Sequence, residues 1–124
     1  MLTDEKISSA IATVSTSDNA LHEHPDCVRI AYEWLDAQKK IKNPSRTSRS
    51  LKHHIERWGG RYVSQDDVTV AAFLHPEIKG NYPFFNISSN LTYPNKLRLQ
   101  LIPQAMTHKT YQEKNIQQTY KIFE

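Results

Sequence analysis

PDCVRIAYEWLDAQKKIK (25–42), followed by NPSRTSRSLKHHIERWGG (43–60), is the stretch that decides the fold. In its first half Cys27, Ile30, Ala31, Trp34, Leu35 and Ile41 recur at helical spacing and form one apolar face. Arg29, Glu33, Asp36 and Lys40 repeat on the opposite face, and Arg29 and Glu33 stand one turn apart, where they can pair. Pro25 suits a first helical turn because its missing N–H would be unpaired there anyway. This predicts a helix over 25–42. Asn43-Pro44 stops it and starts a second helix, which runs to about Trp58 and ends at Gly59-Gly60, residues able to adopt a left-handed C-cap. Leu51, Ile55 and Trp58 are its buried stripe, and Arg46, Arg49, His53 and Arg57 lie along another face.

Working outward, Ile7, Ala10, Ile11 and Val14 predict a first helix over 4–14, with Thr3 as its N-cap. Ser15 to His24 reads as a linker, so residues 1–24 form an N-terminal helix and linker ahead of a single domain over 25–124. Beyond the central pair, Ser64-Gln65-Asp66-Asp67 is a capping-box-like start for a helix that must stop near His75, before Pro76. The period then changes. Leu97, Leu99 and Leu101 alternate with Arg98, Gln100 and Ile102, which reads as a strand. Phe85 to Tyr93 is a weaker strand, and Pro94-Asn95 a turn, giving a β-hairpin near 84–102. Thr110-Tyr111-Gln112-Glu113 resembles another capping box and predicts a last helix carrying Ile116, Tyr120 and Phe123. The expected class is α+β: one mostly helical domain with a β-hairpin, in an order that resembles a winged helix.

Composition bounds the function. The chain has 124 residues and a net charge of +3, but the charge is segregated. Residues 1–38 hold seven acidic and two basic groups, whereas residues 39–61 hold eight basic groups and only Glu56 as an acid. Local fields, more than the total, steer partners. No apolar run approaches the roughly 18 residues needed to cross a membrane, and the N-terminal residues do not read as a secretory signal. The expectation is a cytoplasmic protein without a membrane partner. The single Cys27 cannot form an internal disulfide, and the sequons at Asn86 and Asn90 read as chance. Three glycines, two of them adjacent, leave no nucleotide-cradling loop.

The basic segment carries the functional expectation. Cations release counterions from a polyanion, while hydroxyls and helix N-terminal N–H groups fix the register. Lys39, Lys40, Lys42, Arg46, Arg49, Lys52, His53, Arg57 and Arg61 are the candidate nucleic-acid contacts. Arg46, Arg49, Lys52 and His53 would touch the target, and the others would hold its backbone. In a winged-helix order one helix enters the major groove and a hairpin touches the phosphates, so the expected partner is duplex DNA. A reader helix at 65–75 is the weaker alternative, because Asp66 and Asp67 would meet the phosphates first.

Thr47-Ser48-Arg49-Ser50-Leu51-Lys52-His53-His54-Ile55-Glu56, followed by Arg61-Tyr62-Val63-Ser64-Gln65-Asp66-Asp67-Val68, resembles a segment of small phage- and plasmid-borne proteins. Leu51-Lys52-His53 and Tyr62-Val63-Ser64 carry the resemblance, and Arg49, Ser50, Gln65 and Val68 depart from it. It implies a mobile-element origin and a shared small domain, and with them a regulator that binds DNA or interferes with a host system.

Two rivals stand beside this reading. One is a protein-interaction module directed at a host defence or replication factor, using the basic helix against an acidic surface or the aromatics Phe84 and Phe85. The other is a histidine-dependent nuclease built on His53 and His54, although a helix spreads adjacent residues by about 100° and keeps them from sharing one face. His22, His24 and Cys27 lack the second ligand pair a structural zinc site uses, so neither metal nor cofactor is expected. Cys27 falls on an apolar helix face and reads as a buried thiol, and Trp34 and Trp58 read as core. The acidic segment 1–24 is expected to fold back over the basic helix.

Overall fold

The computed structural model describes residues 1–14, 21–45 and 51–124. Helices carry the fold: α1 (Asp4–Thr13), α2 (Pro25–Ala37), α3 (Leu51–Gly59), α4 (Gln65–Leu74) and the single turn α5 (Ile116–Thr119). Two short strands, β1 (Thr92–Tyr93) and β2 (Ile122–Phe123), pair in parallel.

Helices begin where local chemistry says they should. The Thr3 side chain accepts the Lys6 N–H at the start of α1, and Pro25 opens α2 behind His24, whose ring accepts from Asp26 N. Ser64 and Asp67 form a reciprocal capping box on α4. Each such cap is worth about 1 kcal/mol. At the end of α3, Gly60 takes a left-handed φ of 61°, and the Arg61 N–H returns to the Glu56 carbonyl at 3.3 Å.

The core is continuous. Trp34, Trp58, Ile30, Leu35, Leu51, Ile55, Val63, Val68 and Phe85 are fully or almost fully buried, joined by Ile7 and Ala10 of α1. Both indole N–H groups find acceptors in the C-terminal half: Trp34 donates to the Tyr120 hydroxyl at 3.2 Å and Trp58 to the Pro94 carbonyl at 3.0 Å. Cys27 is buried as expected, and burial, its largest influence, pushes its thiol up to about 12.

Several expectations are corrected. α2 ends at Ala37 rather than Lys42, because Gln38 turns its buried side chain to other work. Its amide donates to the carbonyls of Trp34 and Thr92 and accepts the Thr92 N–H. The chain then runs extended beside Phe85–Ser88, with Ile41 N–H on the Asn86 carbonyl and Lys40 bridging Ile87. Ile41 is consequently exposed. Arg29 pairs with Asp26 and Asp4 rather than with Glu33, which binds Arg98 instead. Pro44 and Ser45 are not helical, and the rest of the expected start of the basic helix, 46–50, lies outside the described residues, as does 15–20 of the linker. Asn86 is buried with its amide bonded to Ile41 and Glu77 carbonyls, so its sequon is inaccessible.

The hairpin near 84–102 is absent. Lys96–Leu99 is a 3-10 helix, opened by Asn95, whose side chain accepts the Leu97 N–H. Further i to i+3 bonds continue through Gln100, Ile102 and Ala105. The last helix is one turn at Ile116–Thr119 and does not start at Thr110. Finally, α1 packs against α2 and α4 instead of covering α3. Residues 21–23 strap onto the Arg61–Asp67 stretch: Leu21 N–H reaches Asp66, His22 reaches Asp67, and Glu23 pairs with Arg61. Among the described residues no helix is long and apolar enough to cross a membrane.

Candidate nucleic-acid interface

α3 turns Leu51, Ile55 and Trp58 into the core and leaves His53 and Arg57, one turn apart, facing outward. Between these two faces lies Glu56, only 2% exposed. Its carboxylate takes the Lys52 ammonium at 2.9 Å and the Val63 N–H at 3.3 Å. Lys52 also lies 4.7 Å from the centre of the Tyr62 ring. His53 keeps Nδ1 3.4 Å from Glu56 Oε1 while its side chain stays 63% exposed. His54 leans on Tyr120, and burial first, then the nearby Arg57 and His53, lower its pKa and favour the neutral ring. The adjacent histidines therefore point apart, and they do not form an acid–base pair.

The outward face of α3 is flanked by a second wall, the segment 106–114. Met106 N–H donates to the Gly59 carbonyl at 2.7 Å and His108 N–H to the Gly60 carbonyl at 2.8 Å. The Tyr62 N–H donates to His108 Nδ1 at 3.1 Å. The His108 and Tyr111 rings stack, with centroids 6.2 Å apart and planes at 22°. Burial, and next the Glu56 carboxylate, raise the Tyr111 hydroxyl above its ordinary pKa.

Two hollows open along this seam. One, of about 290 Å³, is lined by His53, Glu56, Arg57, Tyr111, Gln112 and Lys114 among others. The other, of about 460 Å³, is lined by Arg57, Lys96, His108, Lys109, Tyr111 and Gln112 among others. Arg57, Tyr111 and Gln112 belong to both. The acids of the seam are already engaged: Glu56 holds Lys52, and Glu113 holds Lys96 and the Tyr93 hydroxyl. That leaves Arg57, Lys109 and Lys114, which among the described residues have no carboxylate partner. An excess of unneutralised cations in a concave site raises the local concentration of anions.

The expected contact residues are thus distributed. His53 and Arg57 share the seam, and Lys52 supports its floor through Glu56. Lys39 and Lys42 are exposed on the extended segment after α2, away from either hollow. Lys40 caps the Asp36 carbonyl at 2.7 Å, and its burial lowers its pKa. Arg61 is 6% exposed and spent internally, on Glu23, Gln104 and the Tyr62 carbonyl. Arg46 and Arg49 lie outside the described residues. Lys109, Tyr111 and Lys114 were not foreseen, because their proximity to α3 is tertiary. Their one sequence signal, a lysine either side of an aromatic, is short and common.

Among the described residues no cluster of three or more histidine, cysteine or acidic side chains could hold a metal ion. His22 is occupied by Asp67, and His24 by the N-terminus of α2. Comparison with protein-family models, curated proteins and solved structures finds no match to this chain.

Proposed function

We propose that this protein binds nucleic acid through the seam between α3 and residues 106–114. One observation carries the reading: Arg57 lines both hollows, with Lys114 in one and Lys109 in the other, while the carboxylates of the two are already paired. Phosphate contacts of this kind supply affinity through counterion release, without sequence readout. A regulator of duplex DNA from a mobile element is the narrower form of the proposal, acting without the wing that a hairpin near 84–102 would have supplied. It would require α3 or α4 to enter a major groove.

Fluorescence anisotropy with labelled random-sequence duplex and single-stranded probes tests the reading. Binding at about 50 mM salt that falls by orders of magnitude at about 200 mM supports it. Absence of binding to either probe at low salt removes it.

A second reading is a protein-interaction module acting on a host defence or replication factor. Of its expected aromatic anchors only Phe84 is exposed, since Phe85 is buried in the core; Leu97 and Leu101, each 72% exposed, favour the reading instead.

A further inference from the structure

We infer that the seam takes a single strand of nucleic acid, with bases in its two hollows and phosphates on its rim; this rests on the nucleic-acid reading above. A helix reads a duplex by entering the major groove, about 12 Å wide, and a helix with its side chains is itself about 10–12 Å across. It must therefore protrude. The described length of α3 does not: residues 106–114 run beside His53 and Arg57 on its outward face, tied to Gly59 at its end and to Gly60 and Tyr62 just after it. A duplex approaching Arg57 meets that wall as well as the helix.

What the surface offers instead is concave. The hollows of about 290 and 460 Å³ are of the size that holds small organic groups, on the order of 300–1,000 Å³. Bases inside a duplex are stacked on one another and cannot enter such spaces. Unpaired bases can, and they gain by stacking on aromatic rings. Tyr111 borders both hollows and stacks with His108 in the larger one.

The rim has the matching polarity. Arg57 lies where the two hollows meet, so its guanidinium is placed for the phosphate linking two neighbouring nucleotides. Lys114 borders the smaller hollow and Lys109 the larger, one cation toward each end. Gln112 borders both and offers an amide to a base edge. Glu56 and Glu113 lie on this surface but are held by Lys52 and Lys96, so their repulsion of phosphate is offset.

The test uses the full chain and two labelled probes with equal numbers of phosphates, a short oligothymidylate and a hairpin duplex, at the same low salt. The single strand is expected to bind at least about tenfold more tightly. Tyr111→Leu, which removes the ring, is expected to weaken it by about five- to a hundredfold, the range that loss of one stacked base produces. Tyr111→Phe keeps the ring and is expected to bind like the parent. Circular dichroism melts of both variants establish that they fold. Duplex binding equal to or tighter than the single strand overturns the inference and leaves nucleic-acid binding standing. So does a folded Tyr111→Leu protein with undiminished single-strand affinity. Failure of both probes to bind removes the broader reading as well.

Discussion

His22 Nδ1 stands 2.8 Å from Asp67 Oδ1, and the Asp67 side chain is completely buried. The contact fastens the segment ahead of α2 to the first turn of α4. It uses a carboxylate that also accepts the Ser64 N–H at 2.9 Å. Asp67→Ala removes half of the capping box and leaves His22 without its partner. The expected loss is about 2–3 kcal/mol, the sum of a lost cap and an unsatisfied polar group. Urea titration should show a lower midpoint with an unchanged slope.

Two carboxylates give opposite dependences on pH. Burial, the largest influence on Asp67, raises its pKa despite the bonds from His22 and Ser64. The folded state then holds its proton to higher pH than the unfolded chain does. Its contribution is fully present below the ordinary aspartate value of about 3.9 and is lost as pH rises through the raised value. The stability of the parent relative to Asp67→Asn should fall across that window.

Glu124 behaves the other way. Its hydrogen bonds with Arg98, the largest influence, lower its pKa. Its contribution is present above the ordinary glutamate value of about 4.3 and is lost as pH falls through the lowered one. The Glu124 side chain is 33% exposed, so solvent screening limits the effect to about 1 kcal/mol or less. Chemical denaturation of Glu124→Gln against the parent should show a difference that closes on acidification.

Arg57 and Arg61 are four residues apart and should separate binding from folding. Arg57→Gln lies on the exposed face and should leave stability within about 0.5 kcal/mol. It should lower the slope of log affinity against log salt by about 0.7–0.9, one phosphate contact. Arg61→Gln loses internal bonds to Glu23 and the Tyr62 carbonyl and should cost about 1–3 kcal/mol. Among molecules that remain folded, it should bind like the parent.

Gly60→Ala tests the junction of the two walls. Gly60 has a φ of +61°, and a Cβ there would lie 2.9 Å from Met106 Cα. The left-handed conformation alone costs a side chain about 1–2 kcal/mol, and the contact adds to it. A lower melting temperature is expected together with weaker binding, since His108 hangs from the Gly60 carbonyl.

The parts of this fold legible in the sequence are those fixed by neighbours along the chain. Thr3, Pro25 and the Ser64–Asp67 pair mark helix starts through bonds within a few residues, and all three starts are where the pattern put them. The Leu97–Leu99–Leu101 alternation misleads because burial there follows another spacing. Leu99 and Ile102, three apart, are buried, while Leu97 and Leu101 face outward, which is the period of a 3-10 turn. The short end of α2 was hidden for a different reason: Gln38 makes its bonds to Thr92, far along the chain. The site divides in the same manner. His53 and Arg57 follow from the helical face of α3, whereas Lys109, Tyr111 and Lys114 reach it through tertiary bonds, among them those to the Gly59 and Gly60 carbonyls and from the Tyr62 N–H to His108.

Those two carbonyls also bear on kinetics. Because they hold residues 106 and 108 in the folded chain, both sides of the seam are in position before any ligand arrives. On the proposed reading, nucleic acid would meet a seam whose two sides are already joined. Encounter rates should follow charge and ionic strength, and ligands that differ in affinity should differ mainly in residence time.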